Sequence, residues 1–288
     1  MIFAVLILLL SVLPIMRRFL STILQPFCHF YYQKRYYRHH QGVRILMYHR
    51  VNVSGEYDQL TVSPERFEQH MLWLAQHYEV ISLAQMQSQR HQPTMGKRPQ
   101  VVLTFDDGYL DNLIYAIPIL IQYKLPATIF VTTNFCQQTH QHPRYPASTT
   151  RLHLNWLEVR QLQKSPLITI GSHTCSHPNL PHLSSAQSWH EINQSRQLLA
   201  QQLGKAPDFF CYPSGYLSQR ELDNVKKAGY LGAVTVAGGL NHNKTPAFAL
   251  KRTEITEKDD IQDLKRKLDG AFDLPHQWLH WRRTRKNQ

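Results

Sequence analysis

Cysteine is scarce in this 288-residue chain: four residues, at positions 28, 136, 175 and 211, with no CxxC pair among them. That spacing excludes a dense disulfide framework and leaves the redox compartment open. Acidic residues are also few, 20 against 32 lysines and arginines, which leaves a net charge of +12 and a pI near 9.6. Such a balance suits anionic surroundings. It does not draw a nucleic-acid footprint, because no stacking motif accompanies the basic residues, and no nucleic-acid partner is expected. They thicken instead after the apolar N-terminus and at Arg282-Arg283-Thr284-Arg285-Lys286, a layout that membrane proximity explains better.

No apolar run reaches the roughly 20 residues that span a bilayer. Residues 2–16 come nearest, free of charge up to Arg17-Arg18, and a second apolar stretch covers 19–32. A basic n-region and a small-residue cleavage site are both missing, which argues against a signal peptide. The expectation is an uncleaved membrane anchor over 1–32, either a short span or a span plus an interfacial helix, ahead of a folded domain over 43–288. Arg17, Arg18, Lys34, Arg35 and Arg38 all follow the first run, which read literally puts the rest of the chain on the cytoplasmic side. The expected location is the cell membrane, with the side left open.

What is present looks globular: 42% hydrophobic residues, no internal repeat and no evident second domain. Strand-like runs at 43–48, 80–83, 101–105, 127–131, 167–171, 209–212 and 231–236 alternate with helical patterns. Helices are expected from the Ser63-Pro64-Glu65 start, over 116–123, from Asn155, over 184–203 and from Gln219. Residues 87–100 read as a polar linker and 134–153, rich in proline, histidine and threonine, as a long surface loop. The alternation predicts an α/β fold with parallel strands.

The run Val101-Val102-Leu103-Thr104-Phe105 stops at Asp106-Asp107-Gly108. Asp-Asp-Gly suits a turn, with one carboxylate capping the next helix. It also suits chemistry at a strand end. Neighbouring side chains in extended chain face opposite ways, so one carboxylate could bind a metal while the other handles a proton. A second stretch, His173-Thr174-Cys175-Ser176-His177, follows another strand-like run. Histidines four apart can share one side of a helical turn and hold one metal through their imidazole nitrogens. With one carboxylate they leave coordination positions open for water and substrate.

Thr104-Phe105-Asp106-Asp107-Gly108 followed by His173-Thr174-Cys175-Ser176-His177 resembles the polysaccharide deacetylase family, also called NodB-homology or carbohydrate esterase family 4 enzymes, over roughly residues 43–255. The resemblance implies a deformed (β/α) barrel of about seven parallel strands. It implies a divalent metal, usually zinc, on Asp107, His173 and His177, with Asp106 as general base. Cys211-Tyr212-Pro213-Ser214 is similar to the family's third motif, R-x-P-Y, with Cys211 in the arginine position and Ser214 in that of the tyrosine. The Ser214 amide can still serve an oxyanion, and Arg252 is the candidate to restore the missing arginine's contact with the base. The family's late L-x-H motif is not recognisable. Met47-Tyr48-His49-Arg50-Val51 instead resembles the subgroup that includes the poly-N-acetylglucosamine deacetylases, which assigns the acid role to His49.

The function this implies is metal-dependent removal of N-acetyl groups from a hexosamine-containing polysaccharide. One alternative keeps the chemistry on a lipid-linked sugar, deformylated or deacetylated at the cytoplasmic membrane face. Another, of a different class, is an inactive glycan-binding protein on the same fold; the presence of Asp106, Asp107, His173 and His177 speaks against it.

Overall fold

A computed structural model of the chain describes residues 42–53, 59–90, 98–137, 151–273 and 277. The expected anchor over 1–32 and the basic C-terminal run lie outside these residues. Among the described residues, no helix is long and apolar enough to cross a membrane.

Among the described residues there are ten strands: β1 (Arg44–Tyr48), β2 (Arg50–Val51), β3 (Thr61–Val62), β4 (Glu79–Val80), β5 (Gln100–Phe105), β6 (Ala127–Val131), β7 (Ile168–Ser172), β8 (Phe209–Cys211), β9 (Gly232–Val234) and β10 (Thr253–Glu254). Among the described residues eight α-helices accompany them: α1 (Pro64–His77), α2 (Leu83–Ser88), α3 (Ile117–Gln122), α4 (Thr133–Cys136), α5 (Trp156–Gln163), α6 (Ser185–Leu203), α7 (Gln219–Lys227) and, after β10, α8 (Ile261–Leu268). One sheet runs β10-β1-β5-β6-β7-β8-β9, with β4 alongside β5, and every pairing in it is parallel. The seven-strand path agrees with the expected barrel. β2 and β3 pair separately. The segment before β10 completes the wall: Leu250 bridges Val234 at the end of β9, and Thr253 and Glu254 then pair with Leu46 and Met47 of β1.

Strands covered on both faces need apolar side chains on both, which is why these runs are continuous rather than alternating. Their two phases go to different cores. Ile45, Val102, Phe130, Phe209, Cys211, Val234 and Leu250 meet inside the barrel. Leu46, Tyr48, Val101, Leu103, Phe105, Ile129 and Ile170 pack outward, in a cluster with Phe67, Met71 and Leu74 of α1, Val159 of α5 and Leu264 of α8.

Several local expectations are corrected. Residues 80–83 are not one strand, because Ser82 and Gln85 form a reciprocal capping box that starts α2 immediately after β4. The helix expected over 116–123 begins earlier, in a wider π turn at Asn112–Ala116. Of the supposed surface loop 134–153, residues 138–150 lie outside the described residues, but Thr133–Cys136 is helical and His153 is only 3% exposed.

One buried group makes the outer core acid-sensitive. His70 of α1 is fully buried, with its Nδ1 3.3 Å from the Tyr48 hydroxyl. Burial, outweighing the nearby Asp259 carboxylate, lowers its pKa from 6.5 to about 4. The unfolded chain therefore takes up this proton first as pH falls. The stability concerned is complete above pH 6.5 and is lost toward pH 4, by about 2 kcal/mol between pH 8 and pH 5. Urea unfolding of wild type and His70→Gln at both pH values should show the gap between them shrinking by about that amount in acid. A gap that stays constant would refute the assignment.

Candidate active site

The inward phase of β5 runs Val102, Thr104, Asp106, so the strand's own alternation delivers Asp106 to the mouth of the barrel. Cys211 ends the same phase on β8, and His173 follows β7 beside it. Carboxyl ends of parallel strands are where such folds collect their chemistry. Asp107 does not continue the extended chain, as the sequence reading assumed. Its φ is 66°, and Gly108 follows at 61°. The reversal brings the Asp107 side chain back to the same mouth, and it requires glycine next, since a Cβ on Gly108 would lie 2.9 Å from the Val131 side chain.

His173 and His177 are not on a helix either. They lie in the loop after β7, where Thr174 (φ 68°) and His177 (φ 60°) are both left-handed and the His177 amide donates to Thr174 Oγ1. Left-handed non-glycine residues store about 1–3 kcal/mol each and collect at functional sites. Among the described residues five non-glycine residues have positive φ, and four of them, Asp107, Thr174, His177 and Ser214, belong to this region.

The expected metal ligands converge. Asp107 Oδ1 lies 3.4 Å from His173 Nε2 and 3.4 Å from His177 Nε2. That is long for a hydrogen bond, but it matches the ~3.4 Å edge of a tetrahedron with ~2.1 Å ligand distances, as zinc adopts. His173 Nδ1 lies 2.8 Å from the Cys211 carbonyl, which accepts its proton and leaves the Nε2 lone pair facing Asp107. Burial opposes charge on His173, yet Cys211, Asp107 and Asp106 outweigh it and lift its pKa well above the ordinary range. The pocket therefore favours a cation. A second group, Asp106, His173 and Cys211, is equally close-knit. It suits a metal less well, because Arg252 occupies both Asp106 oxygens at 2.7 Å and places a fixed positive charge there.

Arg252 is not the surface residue its position after a strand-like run would permit. It is 1% exposed and runs through the barrel interior, donating also to the Thr235 carbonyl (2.8 Å), Thr104 Oγ1 (3.2 Å) and Cys211 Sγ (3.1 Å). Cysteine at the arginine position of the third motif thus leaves room for a guanidinium that arrives from the opposite edge of the sequence. Burial would raise the Asp106 carboxyl, but Arg252 overrides it and holds the pKa below the ordinary carboxylate value. His49 Nε2 lies 4.0 Å from Asp106 Oδ2, with the His49 side chain 13% exposed. Ser214 sits in the tight turn after β8 at φ 54°, and its residue is exposed.

Sequence reasoning missed the supports of these groups. Asn112 Nδ2 donates to the His49 carbonyl (2.7 Å), and the buried pair Arg50–Asp111 (2.7 Å) ties β2 to the segment after Gly108. The signal was available: Asp111 and Asn112 are polar residues at the entry to an otherwise apolar helical stretch. His153, whose Nδ1 lies 3.0 Å from the Asp107 carbonyl, gave no comparable signal within its proline- and histidine-rich segment.

The family model for polysaccharide deacetylase matches residues 94–233. A Bacillus subtilis protein named as a polysaccharide deacetylase, YxkH, is 29% identical over 213 residues, covering 74% of this chain and 71% of its own. Poly-beta-1,6-N-acetyl-D-glucosamine N-deacetylase of Staphylococcus aureus is 28% identical over 187 residues, covering 61% of each chain. The chain thus spans about three fifths of the staphylococcal enzyme. Among solved structures, Streptococcus pyogenes deacetylase PplD in complex with acetate superposes with a TM-score of 0.70 at 24% identity, over 78% of this chain and 97% of its own, a likeness of fold.

Proposed function

Taking the chain as a member of the polysaccharide deacetylase family, and so as a hydrolase of carbon–nitrogen bonds, we propose that it removes N-acetyl groups from a hexosamine-containing polysaccharide with the help of a divalent metal, zinc by preference. The observation that carries this reading is the convergence of Asp107, His173 and His177 beside a carboxylate, Asp106, that is kept ionised.

Zinc on Asp107, His173 and His177 would polarise the amide carbonyl and acidify the attacking water. Asp106 takes the water's proton; Arg252 uses one lone pair of each oxygen and the Cys211 thiol also donates to Oδ2 at 3.5 Å, which leaves Oδ1 the freer acceptor. Arg252 prevents the carboxylate from turning away. The Ser214 amide serves the tetrahedral oxyanion, for which a backbone donor is indifferent to the side chain it carries. His49, across from Asp106, returns a proton to the departing amine, without which the carbon–nitrogen bond would not break. The amino-sugar polymer as substrate is supported by the name of the staphylococcal relative.

The test is acetate release from N-acetylglucosamine oligomers by the full-length protein, before and after chelation and zinc return. Chelation should abolish release and zinc should restore it, while His177→Ala should lower zinc affinity by about a hundredfold or more, since it removes one of three protein ligands. Full activity after chelation would overturn the metal. Release confined to a lipid-linked sugar would move the substrate to the membrane face.

A further inference from the structure

We infer that Glu191 of α6 is a positioning residue for the metal: it holds the loop between His173 and His177 in ligating geometry, an inference that rests on the metal reading above. One carboxylate gathers three donors from that loop. Glu191 Oε2 accepts from the amides of Cys175 and Ser176, both at 2.9 Å, and Oε1 accepts from the Ser176 hydroxyl at 2.7 Å. All three donors belong to the residues separating the two histidines.

The loop depends on such a clamp because its backbone is strained on either side of it, at Thr174 (φ 68°) and His177 (φ 60°). On the inner side it is secured by α4, where the amides of Thr133 and Asn134 donate to the carbonyls of Thr174 and Cys175. On the outer side packing is thin. An open pocket of about 350 Å³ lies there, lined by Ser176, Pro178, Leu183, His190 and Glu191 among others. Charge-assisted hydrogen bonds therefore do on that side what close packing does elsewhere.

The two histidines differ in their need for it. His173 is fixed independently, by its amide bonded to Val131 and its Nδ1 at the Cys211 carbonyl. His177 directly follows the clamped residues in the chain, its amide bonded within the same loop to Thr174 Oγ1, so loss of Glu191 should release His177 first. Partners that orient ligands typically contribute 10–100-fold to metal affinity.

The experiment is a competitive zinc titration of the metal-free, full-length protein against a chromophoric chelator, with thermal unfolding of the same samples. Glu191→Ala should raise the zinc Kd about 10–100-fold. Glu191→Gln, whose amide oxygen still accepts from the two backbone amides, should recover most of that loss. Ser176→Ala, which removes one of three bonds and keeps the carboxylate, should raise Kd several-fold, and it stands as the deciding variant if Glu191→Ala does not fold. A Kd equal to wild type in Glu191→Ala or Ser176→Ala, even with lowered thermal stability, would show a purely structural clamp and overturn the inference. If wild type itself binds no zinc, the metal reading falls and this inference with it, an outcome distinguishable from the first.

Discussion

Asp106→Asn stops acetate release while the protein still takes up zinc. The expected loss in kcat is about 10²–10⁴-fold, the usual contribution of a positioned general base. Zinc affinity should stay within a few-fold of wild type, because the proposed ligand atoms are those of Asp107, His173 and His177 and not of Asp106. The substitution is nearly isosteric, but it turns one acceptor into a donor facing the Arg252 guanidinium, so the folded fraction must be measured alongside. Acetate release within tenfold of wild type, from a folded, zinc-loaded variant, would remove Asp106 from the mechanism.

Arg252→Met should cost about 3–5 kcal/mol of stability, the penalty of leaving one member of a buried ion pair without its partner. Both oxygens of Asp106 are 2.7 Å from Arg252 in a site where Asp106 is 3% and Arg252 1% exposed. Combining it with Asp106→Asn removes both charges, and the double variant should be more stable than the sum of the single losses predicts, with a coupling of about 1–3 kcal/mol. All three variants should be inactive. Denaturant unfolding of the four proteins measures the cycle. Strict additivity would mean that the pair contributes no mutual stabilisation, and Arg252 would then have to be explained by its packing along the barrel interior alone.

The strand ends were legible because fully buried parallel strands read as unbroken apolar runs, and the residues interrupting them, Asp106 and His173, are those that face the barrel mouth. The backbone at these points was not. Asp107 and His177 adopt left-handed conformations that ordinary residues avoid, so no local preference announces them; only the finished surroundings impose them. Arg252 is a different case. Its role depends on a partner 146 residues earlier and on a cysteine at 211 small enough to let it pass, and neither condition is visible in a local window. Glu191 and His153 act largely through backbone groups, which carry no sequence signature.

The way the barrel wall closes bears on synthesis. Leu250 and β10 join the last strand of the series to the first, and the same segment brings Arg252 to Asp106. A nascent chain that has displayed Asp106, Asp107, His173 and His177 still lacks the arginine that would steady the proposed base and the segment that covers the edges of β1 and β9. Contacts of such sequence separation form late, after the entropy of a long loop has been overcome. On the proposed mechanism hydrolytic competence therefore waits for the segment from Leu250 to Glu254, and a chain terminated before Leu250 keeps the candidate metal ligands Asp107, His173 and His177 yet has an open sheet with two unpaired edges, prone to association.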